Sequence, residues 1–123
     1  MKLRINNNNS IRLRLSQSDI SRLNEAGCVS VTLQVGSGRF TYQLKRADIS
    51  AIDADLTDNR LAVTIPDTLA RRWADSEEVG FDATLASGDT PLYILIEKDF
   101  QCLMPRKEDE SDLYINPKAT THE

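Results

Sequence analysis

Histidine is almost absent from this chain of 123 residues, which has one histidine, His122, and two cysteines, Cys28 and Cys102. Two thiols and one imidazole cannot complete a four-ligand zinc site without carboxylates. The sequence also lacks a glycine-rich phosphate loop and a Ser/His/Asp set. We therefore predict no metal and no cofactor, and the common nucleotide-binding and hydrolytic sites are excluded.

Long apolar runs are also missing, because no stretch approaches the roughly 18 residues that a membrane helix needs. Met1–Ile5 alternates charged and apolar residues and lacks the apolar region of a signal peptide. We therefore expect a cytoplasmic protein, in which a structural disulfide is not expected. Cys28 and Cys102 are interpreted as small buried hydrophobic residues.

The charge of the chain is unevenly distributed, although the apolar share of 40% and the charged share of 28% are those of an ordinary globular domain. Residues 1–48 hold eight basic and three acidic side chains, a net charge of +5, and the remainder has a net charge of −9. Such a division indicates either a nucleic-acid face and an acidic interaction face, or two halves that attract each other.

The stretch Leu92–Phe100 is the longest nearly continuous apolar run. In a strand, alternate residues from Leu92 to Ile96 point to one side, and Tyr93 and Leu95 point to the other. Both faces are apolar, which is typical of a strand covered on both sides, so we predict a central strand here.

Local patterns predict two short helices. Ser16 and Asp19 have the spacing of a capping box, and Gly27 has the position of a terminating glycine. Pro66 suits the start of a second helix, whose apolar side includes Trp73. Alternating stretches predict seven strands at 2–5, 11–15, 28–35, 40–44, 49–56, 61–65 and 79–85, and the central strand at 92–100 is the eighth.

The two halves align at an offset of 50 residues, which predicts tandem strand-strand-helix-strand-strand repeats at 1–48 and 49–100. Alternating strands also align with one another by chance. We predict an α+β fold of about eight mostly antiparallel strands and two helices, closed as a small pseudo-two-fold barrel or packed as a two-layer sandwich. Residues 1–104 form one domain in this prediction, and 105–123 form an acidic tail. The predicted core is Leu13, Leu15, Leu23, Val31, Leu33, Phe40, Tyr42, Val63, Ile65, Trp73, Phe81, Leu92, Ile94 and Ile96.

The stretches Met1–Ile5, Asn9–Leu15 and Ile96–Arg106 resemble a family of small uncharacterised bacterial proteins, a domain of unknown function. This resemblance implies no activity. Asn59–Pro66 followed by Leu69–Arg72 is similar to the strand-to-helix passage of AbrB/MazE-type swapped-hairpin DNA-binding domains. That resemblance implies two interleaved units, here supplied by one chain. The chain departs from the pattern at Asp75–Val79, which lacks the usual glycine, and at Ser16, where proline is expected.

The first predicted hairpin contains four cations, Lys2, Arg4, Arg12 and Arg14, and in a two-stranded ribbon all four could lie on one side. They are candidates for phosphate contacts, and the MazE resemblance implies DNA contact through the same hairpin. The equivalent positions of the second half are acidic, so the alternative is a solvated face that discourages edge pairing. We expect nucleic acid to be the less favoured partner.

The predicted tail contains a second candidate site. Acidic and apolar side chains there are typical of a segment that covers a basic protein partner, and the alternatives are a solubilising tail or a segment docked on the domain. The candidate residues are Glu108, Asp109, Glu110, Leu113, Tyr114 and Ile115.

Glu97 and Asp99 are the remaining candidates for chemistry, because paired carboxylates can act as acid and base. Charged residues at the end of a strand more often form ion pairs or contact solvent. We therefore predict no catalytic residues and favour a small non-catalytic binding or interaction module. The alternatives are an AbrB/MazE-like nucleic-acid-binding or antitoxin-like protein, and an enzyme of unknown type.

Overall fold

The computed structural model describes residues 1–100 and 111–115, and it confirms the predicted α+β class with eight strands and two helices. The helices are short, and the strands form two sheets of four. In chain order the elements are β1 (Lys2–Asn6), β2 (Ser10–Leu15), α1 (Gln17–Ala26), β3 (Cys28–Val35), β4 (Gly38–Ala47), β5 (Asp53–Thr57), β6 (Arg60–Pro66), α2 (Asp67–Ala74), β7 (Gly80–Leu85) and β8 (Leu92–Lys98).

The two sheets exchange hairpins between the halves of the chain. The first sheet has the strand order β1-β2-β8-β7, and the second has the order β3-β4-β6-β5. Each contains one antiparallel hairpin from each half, joined by a parallel central pair, β2–β8 or β4–β6. The AbrB/MazE resemblance and the internal repeat both stay predictions.

The expectation of a closed barrel is wrong. In the described parts of the chain, no strand of one sheet pairs with a strand of the other, so both sheets are open. Closure requires an unbroken hydrogen-bonded ladder around the barrel. Instead, the sheets and helices contribute side chains to one apolar core cluster, which includes Leu13, Val29, Leu44 and Trp73.

Eight of the predicted core residues are buried, but the prediction fails along the hairpin β3–β4. Leu33 is 54% exposed, whereas Val29 and Leu44, near the opposite end of the hairpin, are buried. Helix α1 leads directly into β3 at Cys28 and packs on β3 and β4. The side chains near Cys28 are therefore covered by the helix, and those near the hairpin tip are more exposed to solvent. The predicted core residues that are only partly buried are Val31, Phe40, Tyr42, Phe81 and Leu92.

The predicted helix boundaries are confirmed at α1. The Ser16 hydroxyl accepts from the Asp19 amide at 3.2 Å, and the Asp19 carboxylate accepts from the Ser16 amide at 3.0 Å. Gly27 ends the helix in the left-handed region at φ 87°. The predicted start of β5 at Ile49 is wrong, because the Ile49 amide turns back to the Ala47 carbonyl and the strand begins only at Asp53.

The Asp19 carboxylate also forms an ion pair with the N-terminal ammonium of Met1, whose nitrogen lies 2.7 Å from Asp19 Oδ2. Burial opposes ionisation of the carboxyl, but the hydrogen bonds from this ammonium and from Ser16 hold the pKa of Asp19 below its ordinary value. A carboxyl with a lowered pKa in the folded state contributes stability above the pKa of the unfolded chain and loses it as pH falls.

We therefore expect the free energy of unfolding to fall as pH drops below about 4, the ordinary range of an aspartate. Asp19→Asn should flatten this acid dependence and reduce stability at pH 7. Urea denaturation between pH 7 and pH 3 measures both effects. An Asp19→Asn variant with the same pH dependence as the original chain would contradict the assignment.

Candidate binding cleft and charged face

A cleft of about 580 Å³ lies at the hairpin tips, with lining residues from both sheets. Its walls are mainly apolar, and its rim is formed by the asparagine-rich turn between β1 and β2. Among the described residues that line it, Asp55 is the one charged side chain. The apolar lining residues are Ile5, Ile11, Phe40, Ala54, Leu56, Leu61 and Leu92.

The cleft depends on two apolar cross-strand pairs next to tight turns. Ile5 lies opposite Ile11 in the first hairpin, and Leu56 lies opposite Leu61 in the third. The intervening turns place asparagine and aspartate residues in the left-handed region, which these side chains tolerate. Ile5 is 73% exposed and Leu56 is 66% exposed, so apolar surface faces water at the mouth of the cleft.

The asparagine-rich turn is held in place by the start of β8. The Asn9 side-chain amide donates to the Pro91 carbonyl at 3.2 Å, and the Tyr93 amide donates to the Asn9 carbonyl at 3.1 Å. One rim of the cleft is therefore fixed to a strand of the same sheet. Sequence reasoning missed this site, although an apolar residue beside each turn was a usable signal.

The four predicted cations do share one face of the first sheet. Lys2 lies opposite Arg14, and Arg4 lies opposite Arg12. The parallel strand β8 brings Glu97 to the same face, where its carboxylate is ion-paired with both Arg12 and Arg14.

Lys2 is ion-paired with Asp99 at 2.9 Å. Two acidic side chains therefore offset part of the charge that a phosphate backbone would contact. The nucleic-acid assignment stays a prediction, now with less net positive charge to support it. Glu97 and Asp99 are both held by cations, so their arrangement is that of structural ion pairs.

The predicted tail residues lie in two regions. Glu108, Asp109 and Glu110 fall outside the described residues. Leu113 is buried against the domain, whereas Ile115 is exposed. Residues 111–115 therefore dock on the domain, which is one of the alternatives predicted for the tail.

Docking of this segment uses specific contacts. Asp112 accepts hydrogen bonds from the Ser18 amide at 3.2 Å and from the Ser18 hydroxyl, at the start of α1. The hydrogen bonds from Ser18 contribute to lowering the pKa of Asp112 below its ordinary value. Tyr114 packs edge-on against Phe100, with ring centroids 5.6 Å apart. The first turn of α1 and the end of β8 therefore hold the segment.

Lys98, at the end of β8, is buried beside this segment. Its ammonium donates to the Ser76 carbonyl at 2.6 Å and lies 5.1 Å from the centroid of the Tyr114 ring. Burial lowers the pKa of Lys98. The contacts give this side chain a role in packing, and none of them reaches the cleft.

Metal sites and membrane-spanning helices are not found in the described part of the chain. There, no group of three or more His, Cys, Asp or Glu residues is placed to hold a metal ion, and no helix has the length and apolar character to cross a bilayer. Cys28 is a half-buried thiol, in partial agreement with its interpretation as a buried hydrophobic residue. Cys102 and His122 lie outside the residues that the structure describes.

The chain belongs to the family described as "Family of unknown function (DUF7009)", which matches residues 1–118. This confirms the predicted membership of a family of unknown function. No curated protein matches the chain, and no solved structure does. The AbrB/MazE resemblance therefore stays unconfirmed.

Proposed function

We propose that this member of a family of unknown function is a small non-catalytic binding module of the bacterial cytoplasm, with its ligand site in the cleft at the hairpin tips. The cleft itself supports the proposal. Its volume of about 580 Å³ lies within the range typical of small-molecule sites, roughly 300–1,000 Å³. Ile5 and Leu56 expose apolar surface at its mouth, and burying that surface favours an apolar ligand.

The lining also restricts the chemistry of the ligand. The walls provide apolar contact, and the polar rim is formed by uncharged Asn and Ser side chains together with Asp55. An anionic group would be repelled by Asp55 and would find no cation among the described lining residues. The best-fitting ligand therefore has an apolar body and a neutral or positively charged polar end.

Filling the cleft should weaken binding of an uncharged apolar dye. Ala54 is half-buried and lines the cleft, so Ala54→Phe places an aromatic ring where a ligand would lie. For Nile red we expect at least a tenfold loss of affinity, equivalent to about 1.4 kcal/mol. A fluorescence titration of the purified chain measures this change.

Ala51→Phe provides the matched control, because Ala51 is exposed and does not line the cleft. This variant should bind the dye as the original chain does. Circular dichroism of both variants confirms that the fold is retained. Equal dye affinity for Ala54→Phe and Ala51→Phe would sink the cleft assignment.

The nucleic-acid-binding or antitoxin-like alternative and the enzyme alternative stay predictions. The shared face of Lys2, Arg4, Arg12 and Arg14 supports nucleic-acid binding, and the pairing of three of these cations with Glu97 or Asp99 weakens it. A protein partner of the tail would contact the exposed Ile115 rather than the buried Leu113.

A further inference from the structure

Strand β3 differs in composition from the other edge strands of the two sheets. β1 carries Lys2 and Arg4, β5 carries Asp53 and Asp55, and β7 carries Asp82. β3 contains no charged residue and no proline along its whole length. Charge and proline are the usual protection of an edge strand against pairing with another chain, so β3 is the unprotected edge.

The hydrogen-bonding groups of β3 can be assigned from its neighbour. The Thr41 amide donates to the Asn59 carbonyl at 3.0 Å, so Thr41 directs its hydrogen bond away from β3. Thr32 lies opposite Thr41 and therefore directs its own amide and carbonyl toward the open edge. Ser30 and Gln34 do the same, because alternate residues of a strand share this direction. In residues 1–100 and 111–115, no strand pairs with this edge.

Apolar side chains accompany these backbone groups. Leu33 and Val35 alternate with Thr32 and Gln34 and lie on the same face of β3 as the buried Val29. Leu33 is 54% exposed and Val35 is 65% exposed. The edge therefore offers both unpaired hydrogen-bonding groups and apolar surface.

We propose that β3 is an association edge, to which β3 of a second copy of this chain adds in antiparallel orientation, with Thr32 at the two-fold axis. The β3-β4-β6-β5 sheets of the two copies then form one continuous sheet of eight strands. The neutral edge brings no like charges together. Self-pairing of β1 would bring lysine and arginine residues together, and self-pairing of β5 would bring aspartates together.

The register follows from the faces of the strand. Residues directly opposite each other must share a face, so the two-fold axis falls on a residue rather than between two. An axis at Thr32 places exposed Leu33 beside Val31 of the second copy and exposed Val35 beside its Val29. An axis at Val31 would leave Val35 beyond the paired region. An axis at Leu33 would also cover both exposed apolar side chains, but it would pair only residues 31–35. The axis at Thr32 pairs residues 29–35 and covers both side chains, so it gives the longer ladder.

The first test is the oligomeric state of the full chain by sedimentation velocity over a range of concentrations. We expect a dimer, and we expect Thr32→Lys to weaken it at least tenfold, because two lysines would face each other at the axis. Thr41→Lys is the control, since it removes the same hydroxyl contact from an interior strand. A monomer at all concentrations would overturn the proposal, and so would a dimer that Thr32→Lys leaves intact.

Cysteine cross-linking tests the register. In a Cys28→Ser, Cys102→Ser background, Thr32→Cys places two thiols directly opposite at a Cα separation of about 5.5 Å, within disulfide range. We expect this variant to form a disulfide-linked dimer on mild oxidation. Ser30→Cys should not, because Ser30 lies opposite Gln34 of the second copy. Efficient cross-linking at 30 and none at 32 would overturn the register.

Discussion

Replacing Trp73 with alanine is expected to lower the free energy of unfolding by about 3–5 kcal/mol. The indole is completely buried near the end of α2. It packs edge-on against Phe81 with ring centroids 5.1 Å apart, and its Nε1 donates to the Val79 carbonyl at 3.2 Å. One side chain therefore joins the second helix to β7 through both apolar contact and a hydrogen bond. Its loss leaves a cavity and removes one of the two hydrogen bonds to the Val79 carbonyl, which still accepts from the Lys98 amide at 2.8 Å.

Urea denaturation followed by far-ultraviolet circular dichroism measures this loss, since the variant has no tryptophan fluorescence. Trp73→Phe should cost less, because it keeps an aromatic ring and loses mainly the hydrogen bond. Thr68→Ala, at an exposed position of the same helix, should change stability by no more than about 0.5 kcal/mol. If Trp73→Ala cost as little as Thr68→Ala, the packing of α2 would be different from the one described.

The features that could be predicted from the sequence are those set by neighbouring residues. The cap at Ser16 and Asp19, the end of α1 at Gly27 and the burial of Trp73 each depend on spacing within one helix. Each is observed. Local chemistry is sufficient at these positions because both interacting groups lie within one or two turns of the chain.

The order of strands could not be predicted, because it depends on pairs that are distant in the chain. Alternation shows that β2 and β8 are strands, but it does not show that they are parallel neighbours. The same limit explains Leu33. Its alternating position predicts an inward side chain, but burial requires a covering element, and the tip of β3–β4 extends beyond α1.

The candidate sites also divide into features set by neighbouring residues and features set by strands that are distant in the chain. The shared face of Arg12 and Arg14 follows from their spacing in one strand and is observed. The carboxylate of Glu97 that pairs with them reaches that face only through the β2–β8 pair. The cleft is formed by hairpins of both sheets, so its walls become neighbours only after the halves have exchanged hairpins. A surface built by non-local pairing is therefore recognised only from the structure.

Arg46 is a further residue whose importance appears only in the structure, and its replacement is expected to lower stability measurably. It is half-buried in β4 and contacts both helices. Its Nε donates to the Leu23 carbonyl at 3.1 Å, and an outer guanidinium nitrogen donates to the Asn24 carbonyl at 2.8 Å, both near the end of α1. The other outer nitrogen donates to the Asp67 carboxylate at 3.0 Å, in the first turn of α2.

Arg46→Met is therefore expected to reduce the free energy of unfolding by about 1.5–3 kcal/mol, the usual range for hydrogen bonds to charged groups. Methionine retains much of the apolar stem but leaves two carbonyls at the end of α1 and the Asp67 carboxylate without this donor. Arg39→Met is the matched control, because Arg39 is exposed on the same strand and bonds the Gln34 side chain. Urea denaturation of both variants measures the two losses of unfolding free energy.

Equal losses for Arg46→Met and Arg39→Met would show that the contacts between Arg46 and the helices contribute no more than a surface hydrogen bond. In a double-mutant cycle, a coupling energy between Arg46→Met and Asp67→Ala isolates the share that belongs to the ion pair.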